Sequence, residues 1–107
     1  MKVKDLVSQL DLKVLSGDTE REISGCYIGD LLSWVMSHAQ ADEVWITIMS
    51  NINVVAVASL TDVACVIIAE GAMPEESVIQ AADAKDVCIL QSERTVFDLA
   101  GALSNIL

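Results

Sequence analysis

Positive charge is what this 107-residue sequence most lacks: 6 Lys and Arg stand against 16 Asp and Glu, a formal net charge of -10. Duplex nucleic acid and anionic membrane surfaces are ruled out as partners on that ground, because matching phosphate charge takes many Lys and Arg side chains. The shortage is also uneven. Lys2, Lys4, Lys13, Arg21, Lys85 and Arg94 all lie toward the two ends, and between Glu22 and Ala84 only His38 can carry a positive charge. A phosphorylated ligand held by the middle of the chain would depend on backbone N–H groups at helix N-termini.

Catalytic material is equally scarce. Nucleophilic catalysis pairs a nucleophile with a base, and the only histidine, His38, closes a helix carrying Leu31, Trp34 and Val35, where the dipole at that end gives it a structural role. Three cysteines, Cys26, Cys65 and Cys88, fall on apolar strand segments at irregular spacing, which suits neither a disulfide framework nor a CxxC metal site. Gly25-Cys26-Tyr27-Ile28-Gly29 has two glycines but no phosphate-loop signature. The adjacent acids Asp42/Glu43 and Glu75/Glu76 read as capping and solubility rather than acid–base chemistry. No metal, no cofactor and no enzyme activity is therefore expected.

Long apolar runs are missing too. The longest, Val63 to Ala69, falls far short of the ~20 residues a spanning helix needs, and Asp5, Ser8, Gln9 and Asp11 interrupt any secretory leader. With unpaired cysteines, this reads as a cytoplasmic protein.

What is present is a core. Apolar residues make up 53% of the chain, enough for one domain over residues 1–107 without staples. Lys2 to Leu10 has helical spacing, Leu12 to Leu15 reads as a strand ended by Ser16-Gly17-Asp18, and Glu22 to Ile28 is β-like. Gly29-Asp30 opens a helix running to Ala39. Val44 to Ile48, Val63 to Ile68 and Val87 to Leu90 are short strands that are apolar on consecutive residues, the mark of parallel strands covered on both faces. Helices are expected over Glu75 to Ala84, with Pro74 at the first helical position, and over Thr95 to Ile106.

The segment from Asn51 to Leu60 is rich in β-branched residues, but two parallel strands on either side demand a crossover, so it is read as a helix. Such a helix is apolar nearly all round. Ile52, Val54, Val55 and Ala58 are accordingly expected at a homodimer interface. The expected fold is α/β with three layers: a mostly parallel sheet of four or five strands with helices on both faces. Ligands of such sheets sit beyond the strand C-terminal ends, which nominates Gly29, Asp30, Ser50, Asn51, Gly71 and Ser92.

Across GCYIGDLLSWVM, WITIMSNINVVAVASL, VACVIIAEGAMPEESVIQAA and VCILQSERTVFDLAGAL the chain resembles the DRTGG domain, a module often found with CBS domains in regulatory proteins and pyrophosphatases. That family is similar in fold to the N-terminal domain of HPr kinase/phosphorylase. Its Gly-Asp-Arg turn becomes Ser50-Asn51-Ile52 here, its Thr-Gly-Gly turn becomes Ala69-Glu70-Gly71, and only Gly71 survives. The resemblance implies an accessory or regulatory role, among short stand-alone members one beside iron-only hydrogenase; the missing catalytic constellation and the apolar central helix add the expectation of a non-catalytic interaction module, a homodimer docking on a partner protein. The alternative is a small-ligand sensor that takes a nucleotide-like molecule at the strand-end turns, where loss of the arginine would weaken any hold on anions.

Overall fold

Consecutive apolar residues on a strand must be buried on both faces, and the computed structural model, which describes residues 1–107, meets that demand. The chain runs α1 (Val3–Leu10), β1 (Lys13–Ser16), β2 (Gly25–Ile28), α2 (Leu32–His38), β3 (Glu43–Thr47), α3 (Ile52–Thr61), β4 (Cys65–Ile68), α4 (Glu76–Ala84), β5 (Ile89–Gln91) and α5 (Val96–Ile106). The strands form one five-stranded sheet in the order β1-β5-β4-β3-β2. Neighbours from β2 to β5 pair in parallel, while β1 pairs antiparallel with β5.

This order explains the layers. From β2 to β5 each strand lies beside its predecessor, always stepping the same way. Right-handed crossovers then place α2, α3 and α4 together on one face. Val35, Val54, Val55, Val57, Ala58, Val78 and Ala82 pack there on Trp45, Val66, Ile68 and Ile89. The opposite face is left to the terminal helices, and Val3, Leu6 and Leu10 of α1 with Leu99 and Leu103 of α5 cover Val44, Ile46, Cys65, Ile67 and Leu90. The alternation of Val44, Trp45 and Ile46 between the two cores is the pleat of one strand buried on both sides.

The crossover at residues 52–61 is the helix that topology demands, against β propensity. Its apolar surface does not wait for a second subunit, however. α3 is the middle helix of its layer, backed by the sheet and flanked by α2 and α4. Val54, Val55 and Ala58 are 0%, 1% and 2% exposed within the single chain, which removes these three from any dimer interface. Ile52, at the helix start, is half exposed. Pro74 is likewise displaced from its expected position: Glu75 is the N-cap of α4 and Glu76 its first residue, so the proline ends the preceding loop.

At the N-terminal ends of the strands Arg21 ties three segments together. Its guanidinium donates to Asp42 Oδ1 at 2.7 and 3.0 Å and to the Asp62 carbonyl at 2.7 Å, and it pairs with Asp62 Oδ1 at 3.0 Å. Asp42 thus serves as a structural anchor. Its neighbour Glu43 accepts the Gln40 N–H at 2.7 Å.

Candidate functional site

All four parallel strands end at the same edge of the sheet, and the loops that follow them form three groups. In the first, the β2–α2 turn is locked onto β3. The Gly29 carbonyl accepts the Trp45 indole N–H at 2.9 Å, and Asp30 Oδ1 accepts the Thr47 hydroxyl at 2.8 Å and the Ile48 N–H at 3.1 Å. Gly29 and Asp30 therefore have a positioning role, fixing how β3 leaves the sheet.

In the second group the β4–α4 and β5–α5 loops are knotted together. Glu70 N–H donates to the Arg94 carbonyl at 2.9 Å and Gly71 N–H to the Ser92 carbonyl at 3.0 Å. Ser92 is buried, and its Oγ accepts the Arg94 N–H at 3.0 Å. Glu70 and Gly71 are both left-handed, at φ 64 and φ 76, which is the local reason a glycine survives at position 71. The Glu70 carboxylate accepts the Val96 N–H at 3.0 Å, and Thr95 Oγ1 accepts that of Asp98 at 3.1 Å. Two side chains of the protein itself therefore cap the start of α5, and the acid in the Ala69-Glu70-Gly71 turn has a structural job.

The third group is open. Between the starts of α3 and α4 lies a crevice of about 460 Å³ lined by Ser50, Asn51, Ile52, Met73, Glu75, Ser77 and Val78. Asn51 caps α3, its Oδ1 accepting the Asn53 N–H at 2.9 Å. The amides of Ile52, Glu76 and Ser77 have no acceptor within the chain. Helix starts with spare N–H groups favour a hydrogen-bond acceptor or partial negative charge, while Glu75 supplies a full negative charge and no cation lines the crevice. Ile52, Met73 and Val78 add an apolar wall. The arrangement suits a small polar molecule with acceptor atoms and a flat or apolar side better than a polyanion.

Of the residues nominated from sequence, only Ser50 and Asn51 line this crevice; Gly29 and Asp30 belong to the first group, and Gly71 and Ser92 to the second. Met73, Glu75 and Ser77 were missed. The Pro74-Glu75-Glu76 helix start carried a signal for them, since the start of every crossover helix falls at the strand C-terminal edge.

The groups considered for catalysis lie elsewhere. His38 is exposed on α2, stacked on Trp34 at 4.7 Å with Nδ1 2.8 Å from the Trp34 carbonyl oxygen. Cys26, Cys65 and Cys88 fall in one row across the sheet on the α1/α5 face. Burial pushes Cys26 up to about 11 and Cys88 up to about 12, and Cys65 well above the ordinary thiol value. All three stay protonated at neutral pH and pack as small apolar groups.

Such a chain is an open α/β domain with a ligand-sized crevice at the strand C-terminal ends, between two crossover helices. A family model, the DRTGG domain, matches residues 5–106, and the chain belongs to that family. Its fold is similar to that in the crystal structure of the CBS and DRTGG domains of the regulatory region of Clostridium perfringens pyrophosphatase, complexed with its activator diadenosine tetraphosphate. That match has a TM-score of 0.71 and 11% sequence identity, and covers 94% of this chain and 44% of the other. No curated protein matches the sequence. No helix is long and apolar enough to cross a membrane.

Proposed function

We propose that this chain is a non-catalytic regulatory module that senses a small polar ligand, held in the crevice between the starts of α3 and α4. The observation that carries the reading is the coincidence of two residues with unpaired helix-start amides, Ile52 and Ser77, with the Asn51 side chain and an apolar wall around one open space of about 460 Å³, within the usual range of ligand sites. Membership of the DRTGG family and fold similarity to a nucleotide-activated regulatory region support it. Because Glu75 is the only charged group of the crevice, the ligand class we favour is a nucleoside or nucleoside monophosphate over a polyphosphate. Three free cysteines fit work in a reducing, cytoplasmic setting.

A thermal-shift series with adenosine, AMP, ATP and diadenosine tetraphosphate tests this. A ligand at about 100 times its dissociation constant adds roughly 2.7 kcal/mol, and each kcal/mol moves the midpoint of a domain this size by roughly 4–8 °C. The expected order is adenosine or AMP above ATP. Asn51→Asp, which keeps the helix cap but adds negative charge, should abolish the AMP shift. No shift with any of the four, or a shift untouched by Asn51→Asp, overturns the reading.

A second reading, docking on a partner protein, is favoured by the exposed apolar side chains Leu31, Trp34 and Phe97. On the family resemblance, components of iron-only hydrogenase are the first partners to try.

A further inference from the structure

The two edges of the sheet are finished differently. β1 carries Lys13 and a register irregularity between Val14 and Ser16, both devices that stop an edge from recruiting another strand. β2 has neither. Gly25-Cys26-Tyr27-Ile28 bears no charge, proline or bulge, pairs in unbroken register with β3, and is half-buried to exposed throughout. The N-terminus shields only the approach to it: Ile23 N–H donates to the Met1 carbonyl at 2.9 Å, Lys2 bridges Glu22, and the pairing goes no further.

Apolar surface flanks the bare edge on both sides. Toward α5 lies a hollow of about 320 Å³ whose walls include Cys26, Ile28, Leu103 and Leu107. Toward α2, Leu31 and Trp34 are 62% and 57% exposed. Trp34 is held by its stack on His38, which in turn stacks on Tyr27 of β2 at 6.3 Å. From Gly25 to Met36 the only formally charged residue is Asp30, whose carboxylate is engaged by Thr47 and Ile48.

We propose that a second copy of this chain docks on this face, its β2 pairing antiparallel with the first across a two-fold axis normal to the sheet. Charge selects the occupant. Two copies that each carry -10 repel through their acidic faces and can approach where neither presents charge. A basic partner would instead be drawn to the acidic surfaces. A two-fold interface also needs a patch complementary to itself, and an uncharged strand edge is its own template. The axis keeps like layers together, so the Leu31/Trp34 pair and the α5 hollow each meet their own counterpart. The hollow beside β2 shares no residue with the crevice between α3 and α4, and self-association moves from α3 to β2.

Sedimentation equilibrium of the full chain into the hundred-micromolar range, with hydrogen exchange at low and high concentration, tests the proposal. The expected result is a reversible dimer in which amides within Cys26–Ile28 become protected as concentration rises. Ile28→Lys and Trp34→Glu should each weaken association by roughly tenfold or more with an unchanged far-UV spectrum, while Leu60→Lys on exposed α3 surface leaves it intact. A monomer throughout overturns the proposal. So does a dimer indifferent to both edge variants, or one lost with Leu60→Lys. If an edge variant fails to fold, exchange on the unaltered chain decides, and no concentration-dependent protection in Cys26–Ile28 refutes it.

Discussion

Replacing Gly17 or Gly71 with alanine makes one chemical change at two almost identical backbone angles, φ 79 and φ 76, so any difference in cost must come from the surroundings. At both positions a left-handed non-glycine residue costs about 1–2 kcal/mol. A Cβ on Gly17 would lie 2.6 to 2.7 Å from backbone atoms of Val87 and Cys88, because the β1–β2 turn rests directly on the entry to β5. Backbone cannot swing aside, and forcing methyl-sized volume into a packed contact costs typically another 1–3 kcal/mol. That contact also carries the Ser16 hydroxyl, which donates to the Val87 carbonyl at 2.9 Å and accepts the Ile89 N–H at 3.1 Å. Gly17→Ala should therefore cost about 2–5 kcal/mol, a large part of a small domain's stability. At Gly71 the new Cβ would meet only Glu93 Oε2, the far end of an exposed, flexible side chain that can rotate away. Gly71→Ala should cost about 1–2 kcal/mol, the backbone term alone. Urea unfolding followed by circular dichroism gives both values, provided the two m-values agree. Equal losses, or a larger loss at Gly71, would show that the turns are not packed as described.

Two further effects follow from the same structure. The raised thiols set the alkaline limit. Above pH 9 the unfolded chain releases its thiol protons while the folded chain retains them up to about 11 at Cys26 and about 12 at Cys88, so stability should fall between pH 9 and 11. Cys88 alone accounts for a loss on the order of 3 kcal/mol by pH 11, buried Cys65 adds to it and the partly exposed Cys26 adds less, so Cys88→Ala should flatten the slope; an unchanged slope in that variant refutes the assignment. Asp86 is left-handed at φ 55 and follows the C-terminus of α4, where negative charge is disfavoured. Asp86→Asn should add about 0.5 kcal/mol to the unfolding free energy, and a loss of stability would contradict this account.

How much of the molecule could be read from the chain depended on the kind of signal. Strands and layers were legible because burial on both faces leaves unbroken apolar runs such as Cys65–Ile68, and the helix at 52–61 was legible only through the crossover rule. The covering of α3 was not. An all-round apolar helix signals burial without naming the occupant, and strand order, unreadable from the sequence, put α2 and α4 there. The candidate crevice was legible only through Ser50 and Asn51, for a related reason. Strand ends locate a ligand edge, but Gly29, Asp30, Gly71 and Ser92 spend their hydrogen bonds on the protein itself, and that partition depends on which loops become neighbours. Acidity misled most directly. Counted only as net charge, it includes Asp11, Asp42, Asp62, Glu70 and Asp86, each at a left-handed turn where glycine or asparagine is the usual choice. The same replacement bears on the namesake turn. Glu70 holds the left-handed position beside Gly71 and turns its carboxylate onto the start of α5. The chain has filled with its own side chain a helix start that could otherwise face a ligand anion, and the crevice between α3 and α4 is left as the open one.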